Sequence, residues 1–131
     1  MSKDLSVKDV RTFGLILRRT NIGEADRILN LITPQGKMSV IARGARREKS
    51  KLAGGIEGFT LADYNIHFGK RELGILTGAK MVKHYGNLVK NFEKTSLAGA
   101  FLKRINALAE QTDSEEYFEI LKQSLECLND G

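Results

Sequence analysis

Five cationic side chains fall within nine consecutive residues near the middle of the sequence. They are Arg43, Arg46, Arg47, Lys49 and Lys51. An arginine presents a planar fork that fits two phosphate oxygens, and a lysine presents a mobile point charge. Each neutralised phosphate releases condensed counterions, so such a run raises affinity for a polyanion without reading its sequence. A basic run alone is not specific, and a solvated basic loop is the alternative.

A second cationic group precedes this run. Its members are Arg18, Arg19, Arg27 and Lys37. Side chains alternate along a strand, so Arg18 and Arg19 are expected on opposite faces, and one of them at most joins the basic run. We take Arg18 and Lys37 as further candidate DNA-binding residues. The other arginine is expected to have a structural role, paired with Glu24 or Asp26.

Aromatic platforms for stacked bases are scarce in this sequence. Phe13 and Phe59 fall on apolar faces and are expected in the core. Tyr64, Phe68 and Tyr85 offer partial exposure, but the sequence does not place them near the basic run. Nucleic-acid binding is therefore expected to be mainly electrostatic, salt-dependent and tolerant of both sequence and strandedness.

The sequence offers little for catalysis, and we expect no enzyme, catalytic residue, metal or cofactor. It lacks a GxxxxGK[ST] phosphate loop, and His67 and His84 are too far apart for metal-ligand spacing. The single cysteine, Cys127, excludes an internal disulfide and a Cys-rich zinc site within these residues. It is expected to be a buried, inert thiol.

Charge is distributed unevenly along the chain. The first 86 residues hold 16 Lys and Arg against 8 Asp and Glu, whereas residues 87–131 hold 5 against 8. This split predicts that the first part meets a polyanion and that the second part has a different role. No apolar run approaches the length of a membrane span, and residues 1–11 are too polar for a signal peptide. A cytoplasmic location without membrane contact is expected.

The first part of the chain has the pattern of a small β-barrel. Period-two alternation and turn residues predict five short strands. They are Thr12 to Arg19, Arg27 to Ile32, Lys37 to Gly44, Phe59 to Phe68 and Leu73 to Lys83. The long connection before the fourth strand ends in a Gly54-Gly55 pair that is expected to be flexible. Five antiparallel strands without crossover helices favour an OB-fold, which gives a mainly β class with α.

The second part has helical periodicity. One helix is predicted from about Leu88 to Gln111 and a second after a capping box at Thr112 with Glu115 or Asp113 with Glu116. Their apolar stripes are Leu97, Phe101, Ile105 and Leu108, and Tyr117, Leu121, Leu125 and Leu128. We expect an OB-fold domain at 1–86 and, at 87–131, the start of a helical domain in a shortened form of a longer protein.

An ordered series of segments resembles the N-terminal part of RecO, a family of bacterial recombination mediators. The segments are Gly14–Thr20, Gly23–Leu29, Thr33-Pro34, Gly36-Lys37, Ala42–Arg47, Lys49-Ser50 and Leu52–Gly55, continuing to Phe59. The resemblance implies an N-terminal OB-fold joined to a helical domain that binds single- and double-stranded DNA and anneals strands. The family's basic OB residues correspond to Arg43, Arg46, Arg47 and Lys49, with Lys37 as an addition.

The same resemblance implies partners. These are RecR and, in many bacteria, RecF, together with RecA and single-strand-binding protein. Two features differ from the family pattern: RecO proteins are commonly about twice as long, and many have a four-cysteine zinc site that is missing here. Two alternatives stay open, a protein-interaction module that docks RecR or another partner and an RNA-binding OB domain.

Overall fold

A computed structural model describes residues 8–47, 50–70, 73–109 and 115–131. Five strands come first: β1 (Lys8–Ile22), β2 (Asp26–Thr33), β3 (Gly36–Ala42), β4 (Thr60–Phe68) and β5 (Gly74–His84). A 3₁₀ helix (Ala53–Ile56) lies between β3 and β4. Three helices follow: α1 (Gly86–Val89), α2 (Phe92–Ala109) and α3 (Glu116–Asp130).

The strands form a closed barrel in the order β1-β2-β3-β5-β4. All neighbours are antiparallel except β3 and β5, which pair in parallel through Val40 with Gly74 and Ile41 with Ile75. The predicted five-stranded OB-fold barrel is confirmed. β1 is longer than predicted because it pairs with β4 from Lys8 onward and with β2 as far as Ile22.

Alternation along each strand separates the inside of the barrel from its outside. On β1, Thr12, Gly14 and Ile16 are buried, and the register sets Thr12 opposite the fully buried Tyr64. On β3, Val40 and Ala42 are buried inside, whereas Lys37, Ser39 and Ile41 lie on the opposite face. The residues that fill the interior include Leu29, Leu31, Val40, Ala42, Tyr64, Ile66 and Leu76.

The glycine pair before β4 belongs to a regular turn of helix, with Gly55 packed against the barrel and Gly54 exposed, and is not the flexible link that the sequence suggested. Both glycines lie in the 3₁₀ helix, where the Gly55 carbonyl accepts a 2.8 Å hydrogen bond from the Tyr64 hydroxyl. A Cβ atom at Gly55 would lie 2.5 Å from Cβ of Ala79, which is closer than atoms can approach. The absence of a side chain at Gly55 therefore lets this helix sit against the barrel.

The helices cover part of the barrel's outer surface. Leu15, Leu17 and Leu61 face outward and share one buried cluster with helical side chains. The helical members include Leu88, Ala98, Ile105, Phe118, Leu121 and Leu125. The barrel wall thus supplies an apolar surface against which α2 and α3 bury their apolar faces. The predicted division of the chain at residue 86 into two domains stays a prediction.

The prediction of a single helix from Leu88 is wrong, because the helix is interrupted at Asn91. The Asn91 side-chain oxygen accepts a 2.9 Å hydrogen bond from the Lys94 amide, and its carbonyl accepts another from Thr95. An asparagine at this position satisfies amides that the first helical turn leaves unpaired. Asn91 therefore starts α2 as a new helix after the short α1.

The predicted apolar stripe of α2 is also partly wrong. Leu97 and Leu108 are 47% and 39% exposed, and the buried positions are Ala98, Ile105 and Ala109. Two alanines on the buried face let the backbone of α2 approach the core that the helices share with the barrel, so larger side chains fall at the margins. On α3, the predicted Leu121 and Leu125 are buried. The predicted capping box involves residues 112–114, which lie outside the described residues.

Candidate nucleic-acid interface

The basic run leaves β3 through a turn that two contacts hold to the start of β2. Gly44 has a φ of +66°, a left-handed conformation that favours glycine. Its amide donates a 2.7 Å hydrogen bond to Oδ1 of Asp26, and the Arg46 amide donates to the Ala25 carbonyl at 2.9 Å. The run is thereby attached to the end of the barrel that carries the β1–β2 turn.

Local hydrogen bonds then fold the run back toward the barrel. The Arg47 amide donates to the Gly44 carbonyl at 3.1 Å, and the Ser50 amide donates to the Arg47 carbonyl at 3.1 Å. The Ser50 hydroxyl accepts from the amide of Leu52, whose side chain is buried in the barrel core. With Leu52 as the inward anchor, the charged side chains before it are directed toward solvent.

Three predicted residues converge on one shallow cleft at this end of the barrel. Arg43, Arg47 and Lys51 are exposed and line a cleft of about 390 Å³. The other lining residues are Gly44, Ser50, Leu52, Leu76 and Thr77. No acidic side chain among the described residues pairs with these three cations. Such a set of charges can neutralise consecutive phosphates of a nucleic-acid backbone.

Arg46, although in the same run, has a structural role. Its Nη2 atom donates to the carbonyls of Ile22 and Gly23, and its Nε atom is buried without a partner among the described residues. These contacts close the run over the β1–β2 turn. Lys49, the remaining predicted member, lies outside the described residues.

Arg19 and Arg27, which were not among the candidate binding residues, lie at the same end of the barrel. Arg19 is opposite Leu29 on the inward face, and its Nη1 atom donates to the Ile56 carbonyl at 3.3 Å. Burial and the nearby charge of Arg27 lower the pKa of Arg19 below its ordinary value. The sequence shows that these two cations are present, but only the strand register shows that they lie at this end of the barrel.

Arg18 and Lys37 are not brought together with the basic run. Arg18 is opposite Asn30 on the outward face, so Arg18 and Arg19 point to opposite faces as predicted. Arg18 lines a groove beside α2, and Nζ of Lys37 donates to the Asn106 carbonyl of that helix at 3.3 Å. Asp26 was a predicted partner for the remaining arginine, but its carboxylate binds the Gly44 amide.

The aromatic side chains differ from several expectations. Phe13, expected in the core, is 51% exposed, whereas Tyr64 and Tyr85 are fully buried. Phe59 packs, partly buried, against the core shared with the helices, and Phe68 is partly buried against the barrel interior. Among the described residues that line the cleft there is no aromatic side chain. The cleft is therefore suited to phosphates more than to bases.

The remaining candidates for chemistry are engaged or isolated. His67 contacts Asp9 through Nδ1 at 2.8 Å, and His84 contacts the Thr60 hydroxyl at 2.9 Å. Cys127 is exposed, which corrects the expectation of a buried thiol. Within the described parts of the chain, no three His, Cys, Asp or Glu side chains are grouped as metal ligands would be. No described helix is long and apolar enough to cross a bilayer.

Comparison with known proteins points to one family. Residues 7–85 match the family model described as recombination protein O N terminal. The chain is 36% identical over 122 residues to a DNA repair protein RecO of Roseiflexus sp. (strain RS-1), covering 92% of this chain and 43% of that protein. It is 32% identical to the protein of the same name in Thermoanaerobacter sp. (strain X514), covering 92% and 49%. The chain spans about half the length of these relatives.

Proposed function

The chain belongs to the recombination protein O (RecO) family, and we propose that it binds single- and double-stranded DNA through backbone phosphates in recombinational DNA repair. The observation that carries this proposal is the convergence of Arg43, Arg47 and Lys51 on one exposed cleft. Phosphate contacts position a nucleic acid without reading its bases. A cleft whose described lining has three cations and no aromatic side chain therefore fits a protein that must accept any sequence.

The proposed role is that of a mediator and not of an enzyme. A protein that holds phosphates without sequence preference can bring complementary strands together while their bases stay free to pair. We therefore propose strand annealing and assistance in loading RecA onto DNA coated by single-strand-binding protein. RecR, and RecF where it is present, are the proposed partners in that process.

An annealing assay tests this proposal. Complementary labelled oligonucleotides are mixed with the protein, and the rate of duplex formation is followed by fluorescence energy transfer. The combined variant Arg43→Ala, Arg47→Ala and Lys51→Ala is expected to lose most of the rate acceleration. The control Lys80→Ala, Lys90→Ala and Lys122→Ala removes the same charge elsewhere and is expected to retain it. Equal rates for the two variants would contradict the proposal.

A second candidate function is a protein-interaction module, which the apolar surface of the helices favours. Leu97 and Leu108 are exposed on the same side of α2, and Phe92, which is 84% exposed, lies on the other side at the start of the helix. Exposed apolar side chains that share one side of a helix are typical of a docking surface. Negligible DNA binding by the chain alone, restored on addition of RecR, would favour this function over direct DNA binding.

The phosphate contacts proposed here also permit RNA. Because RNA and DNA have the same backbone phosphates, RNA binding is an alternative for the same site. Competition between RNA and DNA strands of matched sequence separates the two. Displacement of bound DNA by RNA at much lower concentration would favour the RNA-binding alternative.

A further inference from the structure

A groove runs between the barrel and α2, separate from the cleft at the end of the barrel. It has a volume of about 550 Å³ and is lined by Leu17, Arg18, Gly99, Leu102, Lys103 and Asn106. Arg18 and Lys103 are exposed at its margin, one from each wall, whereas Leu17 is buried in its floor. Cations around an apolar floor fit a ligand that has both an anionic and an apolar part.

Asn106 contributes to the groove as part of its wall. Its Oδ1 atom is buried, so a donor of a ligand in the groove does not reach it. The ligand that matches the groove therefore combines an anion and an apolar surface.

The charge of α2 supports an anionic ligand. This helix contains Lys94, Lys103 and Arg104 against the single acidic residue Glu93. α3, in contrast, contains one lysine against four acidic residues. The acidity of the second part of the chain thus belongs largely to α3 within the described helices, and α2 extends the basic surface of the barrel.

The outer face of the barrel connects the groove with the cleft. Arg18 is opposite Asn30 on β2, and Asn30 is opposite Ser39 on β3. Along β3, Lys37, Ser39 and Ile41 share this outward face, which continues to Arg43 beyond the strand. The six residue steps from Lys37 to Arg43 correspond to about 20 Å along the strand direction. This face of strands 2 and 3 is the one on which OB-folds bind oligonucleotides.

We propose that the groove between β1 and α2 holds one nucleotide of a single strand that also occupies the cleft. Its phosphate contacts Arg18 and Lys103, and its base lies over Leu17 and Leu102. This inference rests on the proposed function. It adds a preference for single strands, because the bases of a duplex are paired and stacked and cannot enter the groove.

Gly99 offers a test that removes no native contact. A Cβ atom at this position would have no atom within 4 Å, so a side chain can enter the groove without a clash. Gly99→Glu places a carboxylate there, and Gly99→Gln fills the same space without charge. Gly99→Ala controls for the change in helix propensity, which favours alanine by about 1 kcal/mol.

Binding of a fluorescent single strand and of its duplex is measured for each variant by anisotropy. Gly99→Glu is expected to lower single-strand affinity about tenfold, equivalent to about 1.4 kcal/mol, and to leave duplex affinity nearly unchanged. Wild-type protein is expected to prefer an intact single strand to an abasic one, and Gly99→Gln is expected to abolish that preference. Gly99→Ala should behave as wild type in both experiments.

Several outcomes separate this inference from the proposed function. Equal loss of single-strand and duplex affinity in Gly99→Glu would overturn the groove proposal, as would no loss of either. If Gly99→Glu instead weakened binding of an acidic, apolar peptide and left single-strand affinity unchanged, the groove would be assigned to a protein partner. That result would also overturn the groove proposal. Failure of the proposed function shows elsewhere, as unchanged DNA binding when Arg43, Arg47 and Lys51 are replaced.

Discussion

The carboxylate of Asp26 accepts a 2.7 Å hydrogen bond from the backbone amide of Gly44. This contact joins the first residue of β2 to the turn that follows β3. Gly44 lies between Arg43 and the rest of the basic run, and its φ of +66° reverses the chain at that point. The bond therefore determines where Arg43 and Arg47 are placed relative to the barrel.

Two substitutions of Asp26 separate the effect of this hydrogen bond on stability from the effect of the carboxylate charge. Asp26→Ala leaves the partly buried Gly44 amide without its acceptor and is expected to cost about 1–2 kcal/mol of unfolding free energy. Asp26→Asn retains an oxygen acceptor and is expected to cost less, which urea denaturation can measure. Equal losses in the two variants would show that the hydrogen bond does not hold the turn.

Arg46 and Arg43 are expected to respond differently to the same substitution. Arg46→Ala removes the donor to the carbonyls of Ile22 and Gly23 and should lower the thermal midpoint by several degrees, since a loss of 1 kcal/mol shifts it by about 4–8 °C in a small domain. Arg43→Ala removes an exposed cation and should leave the midpoint unchanged while weakening DNA binding. A stable Arg46→Ala variant would contradict the structural role of Arg46.

Neighbouring glycines of the 3₁₀ helix provide a matched pair for a packing test. Gly55→Ala would push a methyl group to 2.5 Å from Cβ of Ala79, and overpacking of this kind costs about 1–3 kcal/mol. Gly54→Ala meets no atom within 4 Å and is expected to be tolerated. Denaturant unfolding of both variants should therefore separate them, and equal stability would rule out close packing at Gly55.

Alkaline pH is expected to destabilise the fold through two buried tyrosines. Burial, with a further contribution from Glu126, raises the pKa of Tyr85 to about 12, and burial raises that of Tyr64 further. The folded state disfavours ionisation of these hydroxyls. Their contribution to the unfolding free energy is therefore fully present below about pH 10, the pKa of tyrosine in the unfolded chain, and is lost as pH rises toward 12. Tyr85→Phe should make the decline in unfolding free energy over this range shallower. An identical decline in wild type and variant would contradict this effect.

Much of the barrel could be predicted because each strand has one face inside it, which imposes period two on the sequence. The boundaries of the helices could not be predicted in the same way. Apolar spacing continues through Asn91, and only its side-chain hydrogen bond to the Lys94 amide shows that a new helix begins there. Phe13 shares the outward face with Leu15, but the core shared with the helices includes Leu15 and leaves Phe13 exposed.

The candidate site shows the same limit. Composition and spacing indicated the basic run, but they could not distinguish Arg46, which binds backbone carbonyls, from Arg47, which faces the cleft. Arg19 and Arg27 were placed at the end of the barrel by strand register, which depends on partners far away in sequence. Side-chain direction within a loop is thus the part of the site that needed the structure.

The salt dependence of single-strand binding tests the central claim most directly. Affinity for a labelled oligonucleotide is measured from low to moderate salt, and the slope of log K against log [salt] counts the phosphates neutralised. Replacing Arg43, Arg47 and Lys51 by alanine is expected to lower the slope by about 2, since each contact with a single strand contributes about 0.7. A wild-type slope near zero, or an unchanged slope in the variant, would contradict phosphate binding at this cleft.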